Sequence, residues 1–340
     1  MKIMMNNFSN NVFIDNTSIN MSILTIEKFS LFTLNLSILL FIVLLIGLIG
    51  NLLVIYVVLN YGLLKTVTNK YLLHLALSDV IFLSGVPFFI SSIMTRSWLF
   101  GGFTCKIFFL TQGVNQYTSI IILSLLSFDR YLAVCHAAKS IAWRSRFNPN
   151  ILIISIWILS FLLMLPIILF TTLDEAGASA VQCTINLPLS QSRIPYFIYV
   201  AYTSSITFFL PLTLMTFFHI KIIYRLRNRL PRQHCRSRIS MRARRKVTIL
   251  VLSVISVHLI CCTPYWTFQM LATSGLLSQT NSILIPMSSL TQFLLFVNSS
   301  TNPILYAFLS EVFRTSFKRV FYCCSTINNN NEIIQEKYLD

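Results

Sequence analysis

The sequence predicts an all-α membrane protein: a seven-transmembrane helix bundle followed by a short interfacial amphipathic helix. Three observations carry the prediction. Of 340 residues, 55% are apolar and only 11% charged, whereas a soluble domain carries about 25% charged residues. The apolar residues gather into seven runs, each long enough for the roughly 20 residues that a bilayer crossing needs. The basic residues fall in alternate loops between those runs, as they do in chains that cross a membrane repeatedly.

The elements follow in order. Residues 1–30 form a polar, Asn- and Ser-rich tail with no apolar core and small-residue cleavage site, so the first span is expected to act as its own targeting signal. Residues 31–308 hold the spans: Leu31 to Asn60, Asn69 to Met94, Gly102 to His136, Asn150 to Thr171, Pro195 to Arg225, Lys246 to Thr273, and Ile283 to Phe308. Residues 309–322 come next. From Glu311 to Tyr322, Phe313, Phe317 and Phe321 repeat every fourth position beside Arg314, Lys318 and Arg319, the pattern of a helix lying in the membrane interface. Residues 323–340 form the cytoplasmic tail.

Charge orients the chain. The segment between spans five and six holds Arg227, Arg229, Arg232, Arg236, Arg238, Arg242, Arg244 and Arg245, with Lys221, Arg225 and Lys246 at its edges. The loop between spans six and seven holds none, and Lys65, Lys70, Lys139, Arg144 and Arg146 fall on the basic side. That side is cytoplasmic, which places the N-terminus outside. The net charge of +16 is therefore a membrane-facing feature, and no nucleic-acid-binding motif accompanies it. Asn7, Asn16 and Asn20 head glycosylation sequons in the outer tail, where such acceptors are used. Asn35 and Asn298 also head sequons, but within spans, and are expected to stay unmodified.

Polar groups inside spans are costly and usually functional. Two acids lie within or at the edge of a span, Asp79 and Asp129. Even low insertion scales put Asp at a helix centre near 3 kcal/mol, so Asp79 must face the bundle interior. It serves there either as a structural polar contact or as a functional one. Asp129-Arg130-Tyr131 sits at the inner end of span three, where adjacent opposite charges neutralise each other until the pair is broken.

These signatures together resemble the rhodopsin-like G-protein-coupled receptors from Leu31 to Cys324. They are Gly50-Asn51 in span one, Leu75-Ala76-Leu77-Ser78-Asp79 in span two, Asp129-Arg130-Tyr131 in span three and Trp157 in span four. Pro211 in span five, Pro264 in span six and Asn302-Pro303-Ile304-Leu305-Tyr306 in span seven complete the set. Within that family the chain is most similar to somatostatin, opioid and invertebrate allatostatin-C receptors. The stretches 113–119, 129–134, 245–248 and 308–314 carry that likeness.

The resemblance implies a plasma-membrane receptor for an extracellular neuropeptide, with a heterotrimeric G protein of the inhibitory Gi/o class as partner. It implies a disulfide between Cys105 and Cys183, both on the oxidising side, and palmitoylation at Cys323 and Cys324. Cys135, Cys235, Cys261 and Cys262 show no zinc-type spacing with His, so no transition-metal site or other cofactor is expected. Asn115 and Ser119 lie one turn apart on one face. In the family that face meets Asp79, Asn298 and Ser299, which implies an allosteric sodium ion; the alternative is a water cluster. Asp129, Arg130, Tyr131, Pro264, Asn302, Pro303 and Tyr306 are implied in coupling and switching.

The departures from the family carry information too. Where somatostatin, opioid and amine receptors have a span-three Asp, this chain has Gln112, and the partnering span-seven Tyr is Phe296. An ammonium would find neither carboxylate nor orienting hydroxyl. Gln112, Gln116, Gln269, Gln292 and Phe296 instead form a neutral, amide-rich set suited to peptide backbone, although each Gln singly could be helix packing. Cys262 replaces the usual span-six Trp, His258 a usual Phe, and His219 a usual Tyr; an imidazole at 219 can gain charge near physiological pH.

Rival functions leave less trace. A retinal protein needs a span-seven Lys, and none lies between Ile283 and Phe308. A transporter is expected to show internal repeats, and an enzyme a nucleophile–base set; neither is visible. The alternative that stays open is a chemosensory or other small-molecule receptor of the same fold.

Overall fold

The structure is a computed structural model and describes residues 16–61, 63–176, 180–187, 194–229, 235–277, 284–309 and 313–317. Its helices are α1 (Asn16–Asn60), α2 (Val67–Leu83), α3 (Val86–Thr95), α4 (Gly101–Cys135), α5 (Ala137–Arg146), α6 (Pro149–Phe170), α7 (Ile194–Ser204), α8 (Leu210–Arg229), α9 (Cys235–Ser274) and α10 (Leu284–Leu309). The hairpin β1 (Thr171–Ala176) and β2 (Ala180–Ile185) follows α6. Span one is α1, span two α2 with α3, span three α4, and span four α6. Span five is α7 with α8, joined through a π turn at Ser205–Phe209; spans six and seven are α9 and α10.

Local chemistry sets these boundaries. The Thr66 hydroxyl accepts from the Asn69 amide to open α2, and Asn148 caps α6 just before Pro149, a first-turn position where proline's missing N–H costs nothing. Span two is not one helix. The Gly85 N–H bonds to the Phe82 carbonyl, three residues back, and Pro87 occupies the first turn of α3. Proline cannot continue the α2 ladder, so the axis restarts at Val86. Helix α1 begins at Asn16, well inside the segment expected as a tail. Helix α5 and the β hairpin had no counterpart in the expected element order.

Span four shows how the apolar pattern sorts. Ile151, Ile154, Ile158, Leu162 and Leu165 of α6 are exposed on one face, and Ile153, Ile156, Ser160, Met164 and Ile167 are buried on the other. The exposed row is the face that lipid would cover. Among the described residues six helical stretches are long and apolar enough to cross a membrane alone, from Phe29–Asn60 to Leu252–Ser274. Helix α10, the seventh expected span, is not among them. Its buried face carries Ser289, Thr291, Ser299, Ser300 and Asn302, which dilute its hydropathy because they meet protein rather than lipid.

Helix α4 is central, packed on α2, α6 and α8, while α10 closes the bundle against α1, α2 and α9. Leu75, Ile120, Leu126, Met215, Val254 and Tyr306 belong to one buried cluster at that centre. Residues 313–317 are helical, with Phe313 and Phe317 buried and Phe313 5.7 Å from the Tyr306 ring. That part of the expected interfacial stripe therefore faces the bundle. Phe321, Cys323 and Cys324 lie outside the described residues, as do Asn7 and residues 230–234. At Asn16 and Asn20, and through 226–229 and 235–248, the backbone alone is described.

Candidate functional site

The site runs through the bundle in three layers. At the outer end, Cys105 in the second turn of α4 is bonded to Cys183 of β2, with Cα atoms 5.6 Å apart. Strand β2 also holds the first outer loop, since the Trp98 N–H donates to the Val181 carbonyl at 2.6 Å. The hairpin is thereby pinned over the helix mouths.

Below it, Gln292 Nε2 of α10 donates to Gln112 Oε1 of α4 at 3.1 Å, while Gln112 Nε2 is buried with no acceptor among the described residues. Gln116 is half-buried one turn further in, and Gln269 lies against the Tyr265 phenol. Phe296, expected beside the ligand, is fully buried; its ring packs 4.7 Å from Phe82 and 5.7 Å from Phe89. It shapes the floor from behind. Cys262 is buried, and one turn outward the Trp266 indole packs with Val200 and Phe208 of span five. An indole thus stands in span six one turn outward from Cys262, the position where the family's Trp is usual.

The middle layer gathers the buried polar groups. Asp79 is 1% exposed and accepts from Asn302 Nδ2 at 2.8 Å, with Ser299 beside it. Asn115 Oδ1 accepts from Ser78 Oγ at 2.6 Å and from Ser119 Oγ at 3.0 Å. Asn298 turns elsewhere: its Nδ2 lies 3.4 Å from His258 Nδ1, which also meets Cys262 Sγ at 3.6 Å. Because an amide nitrogen only donates, Nδ1 of this imidazole accepts and Nε2 carries the hydrogen. That Nε2 is buried with no partner among the described residues. The five residues grouped from sequence therefore divide into two bonded sets plus an Asn held by span six. Ser78 and Asn302 complete those sets, although neither was assigned to the cation group.

At the inner end, Arg130 Nη2 pairs with Asp129 Oδ2 at 2.6 Å and donates to the Thr68 hydroxyl of α2. Thr68 carries no charge and lies in no sequence signature, so nothing in the sequence marked it. Tyr131 stacks on Phe218 and bonds His136 at 3.2 Å. Pro264 and Pro303 lie inside α9 and α10, where each removes one ladder bond. His219 Nε2 and Tyr306 Oη are both buried, and neither has a partner among the described residues. Trp157 Nε1 donates to His74 Nδ1, joining span four to span two. Among the described residues no group of three metal-ligating side chains occurs.

Comparison with known proteins gives one consistent result. Residues 50–306 match the family described as 7 transmembrane receptor (rhodopsin family). The chain is 36% identical to the mouse (Mus musculus) somatostatin receptor type 2 over 280 residues, covering 82% of this chain and 75% of that protein. It is 34% identical to the rat (Rattus norvegicus) type 1 receptor over 292 residues, covering 86% and 72%. With the rat type 4 receptor it shares 35% over 283 residues, covering 82% and 71%.

Proposed function

The chain belongs to the rhodopsin family of seven-transmembrane receptors, and on that premise we propose that it is a plasma-membrane neuropeptide receptor signalling through Gi/o proteins. A receptor of this family is not an enzyme. The relatives are named for somatostatin, which supports a peptide ligand. The observation that carries the reading further is the Gln112–Gln292 amide pair at the outer end of spans three and seven. An amide can donate to a peptide carbonyl and accept from a peptide N–H, but it cannot neutralise an ammonium. The ligand segment that enters deepest is therefore neutral.

The inner end supports a coupling role. Arg130 is tied to Asp129 and to Thr68 on span two, and these contacts withhold it from the cytoplasmic face while they last. An agonist acts by favouring the state in which they are broken. A sodium ion at Asp79 belongs to the same proposal. Its support is a fully buried carboxylate whose hydrogen-bond partners are neutral, with no ion pair to it among the described residues. Asp79 would hold the ion, and Ser299, Asn115 and Ser119 carry the further oxygens proposed for it. Such an ion, bound to the resting state alone, lowers agonist affinity by linkage. Glycans at Asn7, Asn16 or Asn20 and thioester-linked acyl groups at Cys323 or Cys324 are proposed from their placement outside and inside the membrane.

Screening a neuropeptide library on cells expressing the receptor tests the function. The expected result is a peptide that lowers cyclic AMP in wild type and does nothing through Arg130→Ala at equal surface level. An agonist that raises cyclic AMP would remove the Gi/o assignment, and activation by amines alone would remove the peptide.

A further inference from the structure

Gln112 does not point into open space. Its Oε1 accepts from Gln292, and its Nε2, buried and without an acceptor, lies in the notch where span two breaks. A Cβ placed on Gly85 would stand 2.7 Å from that nitrogen and 3.2 Å from the Phe82 carbonyl. The notch therefore exists because residue 85 has no side chain. Phe108 of span three lines it as well, 3.4 Å from the same point. Phe296, one turn inward from Gln292, is packed on Phe82 and Phe89, so span seven closes against the same stretch of span two. One carboxamide thus links three spans. It fills a notch in the second, is borne by the third and accepts from the seventh, and neither of its N–H bonds has an acceptor among the described residues.

We infer that Gly85, Gln112 and Gln292 form a latch that holds spans two, three and seven together in the ligand-free receptor, with Gly85 as its seat. The unused N–H bonds define what opens it. A buried donor without an acceptor is unfavourable, so an oxygen that reaches Gln112 gains a bond which the closed state lacks. A backbone carbonyl has that chemistry and an ammonium does not. Drawing Gln112 out of the notch also frees Gln292, so occupancy of the outer site is transmitted to span seven. The ligand part rests on the peptide reading above, whereas the latch itself does not.

The latch is tested without ligand or G protein. Spin labels at Phe103 and Met287, both exposed near the outer ends of α4 and α10, report the distance between spans three and seven in the purified receptor. Wild type is expected to give one narrow distribution. Gln292→Leu removes the bond, and Gly85→Ala fills the notch while keeping both glutamines. Each is expected to raise the open fraction by roughly five- to tenfold, the size of one hydrogen bond. In a Gln112→Leu background neither change should add anything, because the latch is already gone. Distributions identical to wild type in both single variants would overturn the proposal, and so would effects that persist undiminished in the Gln112→Leu background. Either result would leave the peptide-receptor reading standing, since that reading is decided by ligand response.

Discussion

Asp129 and Thr68 are resting partners of Arg130 of different kinds, and they make different predictions. Asp129 neutralises it from the adjacent position, and Thr68 ties it to another helix. Hydrogen bonds to charged groups contribute about 1.5–3 kcal/mol, so losing the Thr68 contact should shift the resting equilibrium about tenfold or more. Thr68→Ala is expected to raise basal nucleotide exchange on a G protein by about that factor, with Thr68→Ser close to wild type. Equal basal rates for wild type and Thr68→Ala would show that the contact does not hold the resting state. At Asp79 the expectation concerns ions. Replacing sodium by an impermeant cation at matched ionic strength should strengthen agonist binding in wild type and leave Asp79→Asn unchanged; indifference in wild type would dismiss the ion. Asp79 and Arg130 were legible in sequence because charge inside an apolar run announces itself. Thr68 and Gly85 were not, and Ser78 stood only as one letter of the span-two signature, since small uncharged residues acquire roles only through what the fold sets beside them.

Among the elements, the span boundaries read from hydropathy match the helices closely where the chain crosses lipid, as in spans three and four. They fail where lipid does not decide. The break in span two needs Gly85 and Pro87 together, and a hydropathy window averages across it. The hairpin β1–β2 lies outside the bilayer and is tied by its disulfide and by Trp98; β2 alternates, with Gln182 and Thr184 buried, but so short a stretch leaves no mark in a hydropathy window. Cutting it loose should therefore spare the helices and affect the ligand. Cys183→Ser is expected to weaken agonist potency by tenfold or more, because an untethered hairpin must be ordered at the moment of binding. Surface receptor with undiminished potency would show that the hairpin takes no part. Span six gives a related expectation. With Cys262 in the usual aromatic position, the packing on span five falls to Trp266, and Trp266→Ala should cost about 3–5 kcal/mol of stability, seen as a large loss of folded receptor. Cys262→Ala should cost far less.

For the whole molecule, the fold is the family's, and what distinguishes it is the character of the path from mouth to inner face. The outer layer is amide, the middle layer a buried carboxylate with an imidazole alongside, and the inner layer an internally paired Arg. Spans three and seven themselves carry no acidic residue along that path outward of Asp129; the acids at the outer end, Asp174 and Glu175, belong to β1. The central claim is that this receptor takes a neutral segment of peptide where its somatostatin-named relatives are expected to take a cation, and one comparison tests it directly. Dose–response curves for the native peptide and for a Lys-bearing somatostatin peptide are measured on wild type and on Gln112→Asp with Phe296→Tyr. A buried charge left without its partner costs about 3–5 kcal/mol, so the Lys-bearing peptide should be weak on wild type and gain roughly a hundredfold or more on the double variant. The native peptide should lose potency there, and the single Gln112→Asp change should do less. Strong activation of wild type through an indispensable Lys, or no exchange of potency between the two receptors, would contradict the account.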